Sequence, residues 1–219
     1  MSAAAHNAQV WENLYATGRN DLRYPNEMLV RLAAGLLPSS QPVRVLDYGC
    51  GTGANTAHLA SLGHEMHGTE VSASALEIAR ARLQAAGREA ALRLVTPGAP
   101  LPFDHGFFDA VIAWQVIYYN DRQGWAGAVS EIERVLRPGG IVLVATAAPG
   151  DVSQREAQPL GNSMYRSEVT GQAGCTLTIP EREELDALFP GRTLDVGEYL
   201  FRFGPRQAHH WIISYRTPT

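Results

Sequence analysis

The nine residues Val45-Leu46-Asp47-Tyr48-Gly49-Cys50-Gly51-Thr52-Gly53 restrict the fold of this chain more than any other stretch. They extend a short β-branched run that starts at Val43 and breaks at once into three alternate glycines. A run of this kind reads as a buried strand that stops abruptly. Ala57, Leu59, Ala60 and Leu62 then give 54–62 an apolar helical pattern, and Gly63 ends it. Strand, Gly-rich turn and helix together open a βαβ unit. In open sheets built from such units, ligands sit beyond the carboxyl ends of the strands, where glycine lets backbone approach them closely.

The alternation continues downstream. His64–Gly68 reads as a second strand, and 73–86 as a helix capped by Ser72, with Leu76, Ala79, Leu83 and Ala86 at helical spacing. Ala91–Val95 is a third strand, Phe108–Trp114 a fourth and 122–136 a helix. Pro138-Gly139-Gly140 breaks that helix from a fifth strand, Ile141–Ala145, whose continuous apolar run suits burial on both faces. Upstream, 6–17 and 25–37 read as two helices, the second with Pro25 at its first position, before the loop Pro38-Ser39-Ser40-Gln41-Pro42. Residues 147–178 lack periodicity and read as a long loop over a site. A helix at 180–188 follows. Strands at 193–203 and 208–216, joined only by Gly204-Pro205-Arg206-Gln207, make an antiparallel hairpin. The expectation is one α/β domain over 1–219: a doubly wound, Rossmann-like, seven-stranded mixed sheet with a C-terminal antiparallel hairpin and two N-terminal helices. Its parts are a helical cap (1–40), a core (43–146), the segment 147–178 and a C-terminal helix and hairpin (180–216).

Composition removes several function classes. The 219 residues carry 18 Lys+Arg against 22 Asp+Glu, a net charge of −4, with no basic run to face nucleic acid or an anionic membrane. All 18 cations are Arg, so lysine Schiff-base, Walker-type and lysine-base chemistry are ruled out. Arg in place of Lys, with many Ala, suggests a GC-rich bacterial genome. Cys50 and Cys175 are too few for a disulfide scaffold and lack metal spacing, which suits a reduced, cytoplasmic setting. Met1–Gln9 has neither the basic nor the apolar region of a signal peptide, and no apolar run approaches the ~18 residues of a membrane span. No metal site is expected.

The glycine turn admits two ligands. Gly49, Gly51 and Ala54 also fit the dinucleotide fingerprint G-x-G-x-x-A, and Glu70 lies 21 residues past Gly49, where a ribose-binding acid belongs. Asp47 separates the two. A carboxylate two residues before the first glycine would repel a pyrophosphate and welcome a cationic ammonium or sulfonium. S-adenosylmethionine has that charge and no phosphate.

With VLDYGCGTG at 45–53, Glu70, Leu101-Pro102-Phe103, Phe108–Trp114 and Leu136-Arg137-Pro138-Gly139-Gly140 in this order and spacing, residues 43–145 resemble the class I S-adenosylmethionine-dependent methyltransferases. The resemblance implies that the loop Asp47 to Gly53 (Tyr48, Gly49, Cys50, Gly51 and Gly53 among its residues), with Asn55 just beyond, lines the methionine half of the cofactor. It further implies that Glu70 holds the ribose hydroxyls, Val71 packs on adenine, and Trp114 contacts the methionine moiety or adenosine. Members usually carry an acid after strand three. Thr96-Pro97-Gly98-Ala99-Pro100 stands there instead, which leaves the Gly98 or Ala99 backbone to hold adenine. Tyr15 and the stretch Asn20–Glu27 resemble the N-terminal segment of small bacterial methyltransferases, including the tellurite-resistance type. That segment would close over the cofactor, with Arg23 as a fork for the methionine carboxylate.

On the acceptor side, Tyr118 and Tyr119 follow strand four. His209 and His210 open the last strand, which, being antiparallel, begins at the edge where the parallel strands end. His209, His210 and Tyr119 are the candidate general bases, and strand alternation lets only one of the two histidines face the site. The segment 147–178, with Met164, Tyr165, Arg166 and Cys175, is the expected substrate lid. The expected activity is methyl transfer to a small molecule, at oxygen first and nitrogen second. The alternatives are a tellurite- or thiol-type methyltransferase, or a cofactor-binding protein without transfer activity. The chain is expected to be a monomer or homodimer.

Overall fold

The computed structural model describes every residue except Met1, Ser39 and Pro205, and the side chain of Arg206. Two helices, α1 (Ala3–Ala16) and α2 (Glu27–Leu36), precede β1 (Arg44–Tyr48). The alternating part follows as α3 (Ala54–Ser61), β2 (Glu65–Glu70), α4 (Ala73–Ala85), β3 (Ala91–Leu94), β4 (Phe108–Trp114), α5 (Arg122–Val135) and β5 (Leu136–Ala147). Then come α6 (Val152–Arg155), β6 (Ala157–Gly161), β7 (Met164–Ser167), β8 (Thr176–Thr178), α7 (Leu185–Leu188), β9 (Asp195–Phe203) and β10 (Arg206–Arg216). Seven strands form one sheet in the order β3-β2-β1-β4-β5-β10-β9. β1 to β5 pair in parallel, and β10 runs antiparallel to both β5 and β9. The doubly wound sheet with a terminal hairpin is thus as expected. The strand order reverses between β1 and β4, which opens a crevice at their carboxyl ends. Among the described residues no helix is long and apolar enough to cross a membrane.

Strand alternation explains the apolar runs. Leu46, Val111, Ala113, Val142 and Val144 pack on one face of the sheet, with Trp125, Ile132 and Phe189. Val45, Ala110, Ile112, Leu143 and Ala145 pack on the other, with Leu29, Leu59 and Met66. Three of the helices, α2, α4 and α5, start at side-chain caps, whereas α3 starts at Gly53 without one. Ser72 accepts from the Ala75 amide at the start of α4, and Asp121 accepts from the Gly124 amide at the start of α5. At α2 the cap is Asn26, whose side chain accepts from Met28 and Leu29. Pro25 therefore lies before the cap and not at the first helical position.

Three expectations are corrected. First, β5 begins at Leu136, directly after α5, and the register between β4 and β5 shifts between Phe108 and Ala110. Pro138-Gly139-Gly140 therefore sits inside the strand, opposite that irregularity, with Gly139 at φ 71°. Second, 147–178 is not a loop. It holds α6 and a three-stranded antiparallel sheet, β6-β7-β8, whose Cys175 and Leu177 join the main core. Its strands are three to five residues long and mostly exposed on one side, too short to show a period. Third, 180–188 is a 3-10 turn (Arg182–Glu184) leading into the single-turn α7. Ser39 of the 38–42 loop and Pro205 of the hairpin link lie outside the described residues, and the link is shorter than expected because β10 begins at Arg206.

Phe189, 1% exposed, anchors the C-terminal part in the main core: it meets Trp125 of α5 and Tyr215 of β10 edge-on, at 5.9 and 5.6 Å. Phe189→Ala is expected to lower the unfolding free energy by about 3–5 kcal/mol, the usual cost of emptying such a site. A denaturant titration checks this, and a loss under ~1 kcal/mol would mean that α7 is not part of the cooperative core.

Candidate functional site

A cavity of about 1320 Å³ opens at the carboxyl ends of β1, β2 and β4. Of the seventeen residues expected there, thirteen border it: Tyr15, Tyr48, Gly49, Cys50, Gly51, Asn55, Glu70, Val71, Gly98, Ala99, Trp114, Tyr119 and His210. The turn after β1 forms its floor. A Cβ on Gly49 (φ 72°) would come within 2.3 Å of the Val116 side chain, so the turn tolerates no other residue in this conformation. Above it, the Tyr15 hydroxyl lies 3.0 Å from where a Gly51 Cβ would stand.

Glu70 ends β2 on the cavity wall. Its Oε2 accepts from the Gly51 amide at 3.0 Å, and its Oε1 from the Val71 and Ser72 amides at 2.7 and 3.0 Å. Burial raises its pKa, and those three backbone bonds oppose the rise. Burial likewise pushes the Cys50 thiol well up, so it stays a neutral thiol.

Four expected residues do not border the cavity. Asp47, 1% exposed, points into the protein and accepts a 2.6 Å bond from Thr56 Oγ1. It ties α3 to β1 instead of facing a ligand, and burial pushes its pKa up to about 6. Arg23 is exposed and away from the wall. The clamp at this corner is Arg82 of α4, which donates to the Asp21 carboxylate, to the Thr52 carbonyl and to Thr52 Oγ1. Gly53 (φ 77°) begins α3, and its role is packing: a Cβ there would lie 2.8 Å from Ala79 Cβ. His209 points away from the cavity, with Nε2 2.6 Å from Glu198 and Nδ1 against the Pro149 carbonyl.

His210 is the histidine on the wall, 6% exposed, as strand alternation allows for one of the pair. Its Nε2 lies 3.1 Å from Gln115 Nε2, and its Nδ1 has no partner among the described residues. With the Gln115 amide as donor, Nε2 accepts and the ring proton sits on Nδ1. Burial lowers its pKa, which keeps it neutral. Tyr119 is no base. Its hydroxyl accepts from Tyr118 at 3.2 Å and donates to Gln172 at 3.0 Å, and burial raises its pKa well above the tyrosine range. At the two adenine candidates, Gly98 and Ala99, the Ala99 amide donates to the Thr96 carbonyl.

Several wall residues escaped the sequence reading. Trp11 stacks on Tyr15 (5.6 Å) and meets Tyr119 edge-on (4.9 Å). Asn7, buried in α1, donates to the Tyr119 and Thr176 carbonyls and accepts from the Thr176 amide. Asp151 accepts from the Ser153 and His209 amides. Gln115 holds φ 56°, a conformation non-glycine residues rarely adopt. Only the last bears a recognisable signal, backbone strain, and it is a signal of structure and not of sequence.

Residues 45–140 match the family model described as a methyltransferase domain. The match covers less than half of the chain, and over it the protein resembles methyltransferase domains. The chain is 32% identical over 123 residues to the O-methyltransferase rstn1 of Aspergillus nomiae, a match covering 54% of this chain and 53% of that protein. The chain spans about half the length of the first curated relatives it matches. It shares its fold with a protein solved in work on conversion of a disulfide bond into a thioacetal group during echinomycin biosynthesis (TM-score 0.76, 22% identity, 97% of this chain and 92% of that one). It shares it also with the 1,6-didemethyltoxoflavin-N1-methyltransferase of Burkholderia thailandensis, solved with 1,6-didemethyltoxoflavin and S-adenosylhomocysteine (TM-score 0.72, 17% identity, 100% and 92%).

The buried Asp47 makes the protein sensitive to pH in a defined direction. Its folded pKa is raised from 3.8 to about 6, so its protonated form favours folding. That contribution is complete below pH 3.8 and is lost as pH rises to about 6. Compared with Asp47→Asn, which cannot titrate, the wild type is expected to lose about 3 kcal/mol across this interval. Paired denaturant titrations at several pH values check it, and a constant difference would show that Asp47 does not take up the proton.

Proposed function

We propose that the protein binds S-adenosylmethionine in this cavity and catalyses methyl transfer to oxygen of a small-molecule acceptor. The observation that carries the reading is Glu70: a buried carboxylate with no cation partner, set beside a glycine turn at the carboxyl edge of the sheet. Other features of the wall suit the same cofactor. No Arg side chain borders the cavity among the described residues, so no side-chain cation there meets a pyrophosphate. The Trp114 indole N–H and the Thr69 hydroxyl are buried on wall residues without partners. Bound here, the cofactor supplies an electrophilic methyl group on a sulfonium.

The chain's own residues then have separable tasks. Glu70 accepts from the ribose hydroxyls with its remaining lone pairs, and the Tyr48–Gly51 turn holds the methionine half. Val71 and the Gly98 or Ala99 backbone hold adenine. Trp11 and Tyr15, on α1, exclude water above the site. His210, neutral, takes the acceptor's proton at Nε2 once the acceptor hydroxyl replaces the Gln115 amide there. The segment 147–178 forms the acceptor side through Asp151, Ser153 and Gln172. Oxygen is supported by the O-methyltransferase relative and by the neutral histidine base. The tellurite- or thiol-type alternative rests only on the stretch Tyr15–Glu27.

S-adenosylmethionine and S-adenosylhomocysteine are expected to raise the melting temperature, by about 2.7 kcal/mol of stabilisation at 100 times Kd, and NAD is not. A shift with NAD alone would sink the reading. Glu70→Ala is expected to weaken cofactor binding by about tenfold or more with the fold intact. With an accepted substrate, His210→Ala is expected to lower kcat by about a hundredfold and His209→Ala to leave it near normal. In the wild type, kcat/KM is expected to fall as His210 gains a proton, with an inflection below pH 6.5. Formation of S-adenosylhomocysteine in presence of acceptor pools separates transfer from binding alone.

A further inference from the structure

The charges around the cavity are of one sign. Five carboxylates border it: Glu27, Glu70, Asp121, Glu131 and Asp151. Among the described residues no Arg side chain does, and the sequence has no Lys. Two of the five are neutralised, Glu27 by Arg31 and Glu131 by Arg134. The other three have no ion-pair partner among the described residues. The carboxylates of Asp121 and Asp151 accept from backbone amides, as that of Glu70 does. Asp151 is 2% exposed, so its charge is poorly screened by solvent. The net single positive charge of S-adenosylmethionine balances only one of the three.

The acceptor end adds a second feature. Tyr15, Trp11, Tyr119 and Tyr118 form an unbroken aromatic series, with successive ring centroids 5.6, 4.9 and 4.3 Å apart. Aromatic faces carry negative potential, and rings pack on them edge-on or offset. A flat ring or a cation is therefore well received, and an anion meets carboxylate or π-face with no counter-charge.

On the function proposed above, we infer that the acceptor is a planar aromatic molecule without negative charge, taken up neutral or cationic, and that the wall rejects anions. Oxyanions such as tellurite, carboxylate-bearing phenols and phosphate-bearing carriers are thereby excluded as acceptors. Asp151, the unpaired carboxylate that accepts from the His209 amide beside His210 in a wall without Arg among the described residues, is the specificity determinant for charge.

The test uses the wild-type protein saturated with S-adenosylhomocysteine and titrated calorimetrically with three phenols of matched shape: tyramine (cation), 4-propylphenol (neutral) and 3-(4-hydroxyphenyl)propionate (anion). Tyramine and 4-propylphenol are expected to bind, and the anion at least about tenfold more weakly. The gap between tyramine and the anion is expected to narrow by about threefold or more in Asp151→Asn. It is also expected to narrow in the wild type as salt rises from about 0.05 to about 0.5 M, which tests the charge effect without a variant. Anion binding as tight as that of the other two, a gap insensitive to both changes, or no binding by any of the three would overturn the inference while leaving the cofactor reading intact. Failure of S-adenosylhomocysteine itself to bind would overturn the proposed function, and this inference with it.

Discussion

The Glu70 carboxylate ties the turn after β1 to the turn after β2. One oxygen takes the amide of Gly51 and the other takes those of Val71 and Ser72. Charge-assisted bonds of this kind are about twice as strong as neutral ones, and here three of them offset the cost of burying an anion. The rest of the site is built outward from this point. Gly51 is held where Tyr15 can cover it, and Ser72 is placed to cap α4. Both loops then present backbone to the cavity without a lysine or arginine to draw them together.

Ser72 also passes the constraint to α1. Its hydroxyl and that of Ser74 donate to Glu12 at 2.7 and 2.6 Å, and these bonds lower the Glu12 pKa, Ser74 more than Ser72. Glu12 thus holds α1 over the site in its ionised form. Asn7, one face-turn earlier on the helix, fastens the same helix to β8 and to the Tyr119 backbone. Arg82 draws Asp21 and Thr52 together beside it. Trp11 and Tyr15 are therefore fixed by hydrogen bonds at both ends of the helix that bears them, and the aromatic series on the wall is a rigid feature.

The sheet was legible because each strand repeats the same bargain between apolar faces, and the glycine turn with Glu70 located the cavity. What the sequence hid was contact between distant segments. Asp47 was read as facing the ligand because it adjoins the turn. It lies two residues after Val45, however, on the face that α2 and α3 cover, and alternation sends it to Thr56. Arg23 was read as a fork for the methionine carboxylate because it is near in sequence; the arginine that acts at this corner is Arg82, about sixty residues away in the chain, and it clamps Asp21 and Thr52 rather than facing the cavity. The 147–178 segment showed no period because its strands are short and half exposed, yet Cys175 and Leu177 are completely buried. Alternation limited the histidine pair to one inward member, but which one depended on the register of β10 against β5, where His210 pairs with Ala147.

Gln115, the partner of His210, holds a strained backbone. Gln115 follows β4 directly, and its amide still donates to the Ala145 carbonyl of β5, so the strand pairing is retained as the chain turns to φ 56°. A non-glycine residue held there costs of order 1–3 kcal/mol and persists only where the surroundings dictate it. The step carries the Gln115 amide to His210, which stands on β10 beyond the intervening β5. His210 in turn is buried with one ring nitrogen bonded and the other without a partner among the described residues, a second cost of about 1–3 kcal/mol. Folding alone would be served better by an extended residue at 115 and an apolar one at 210. Two unfavourable features that meet in a single 3.1 Å contact on the cavity wall are therefore best accounted for by the chemistry of the site: a neutral histidine whose Nε2 is held on the wall as a hydrogen-bond acceptor is oriented to receive a proton there.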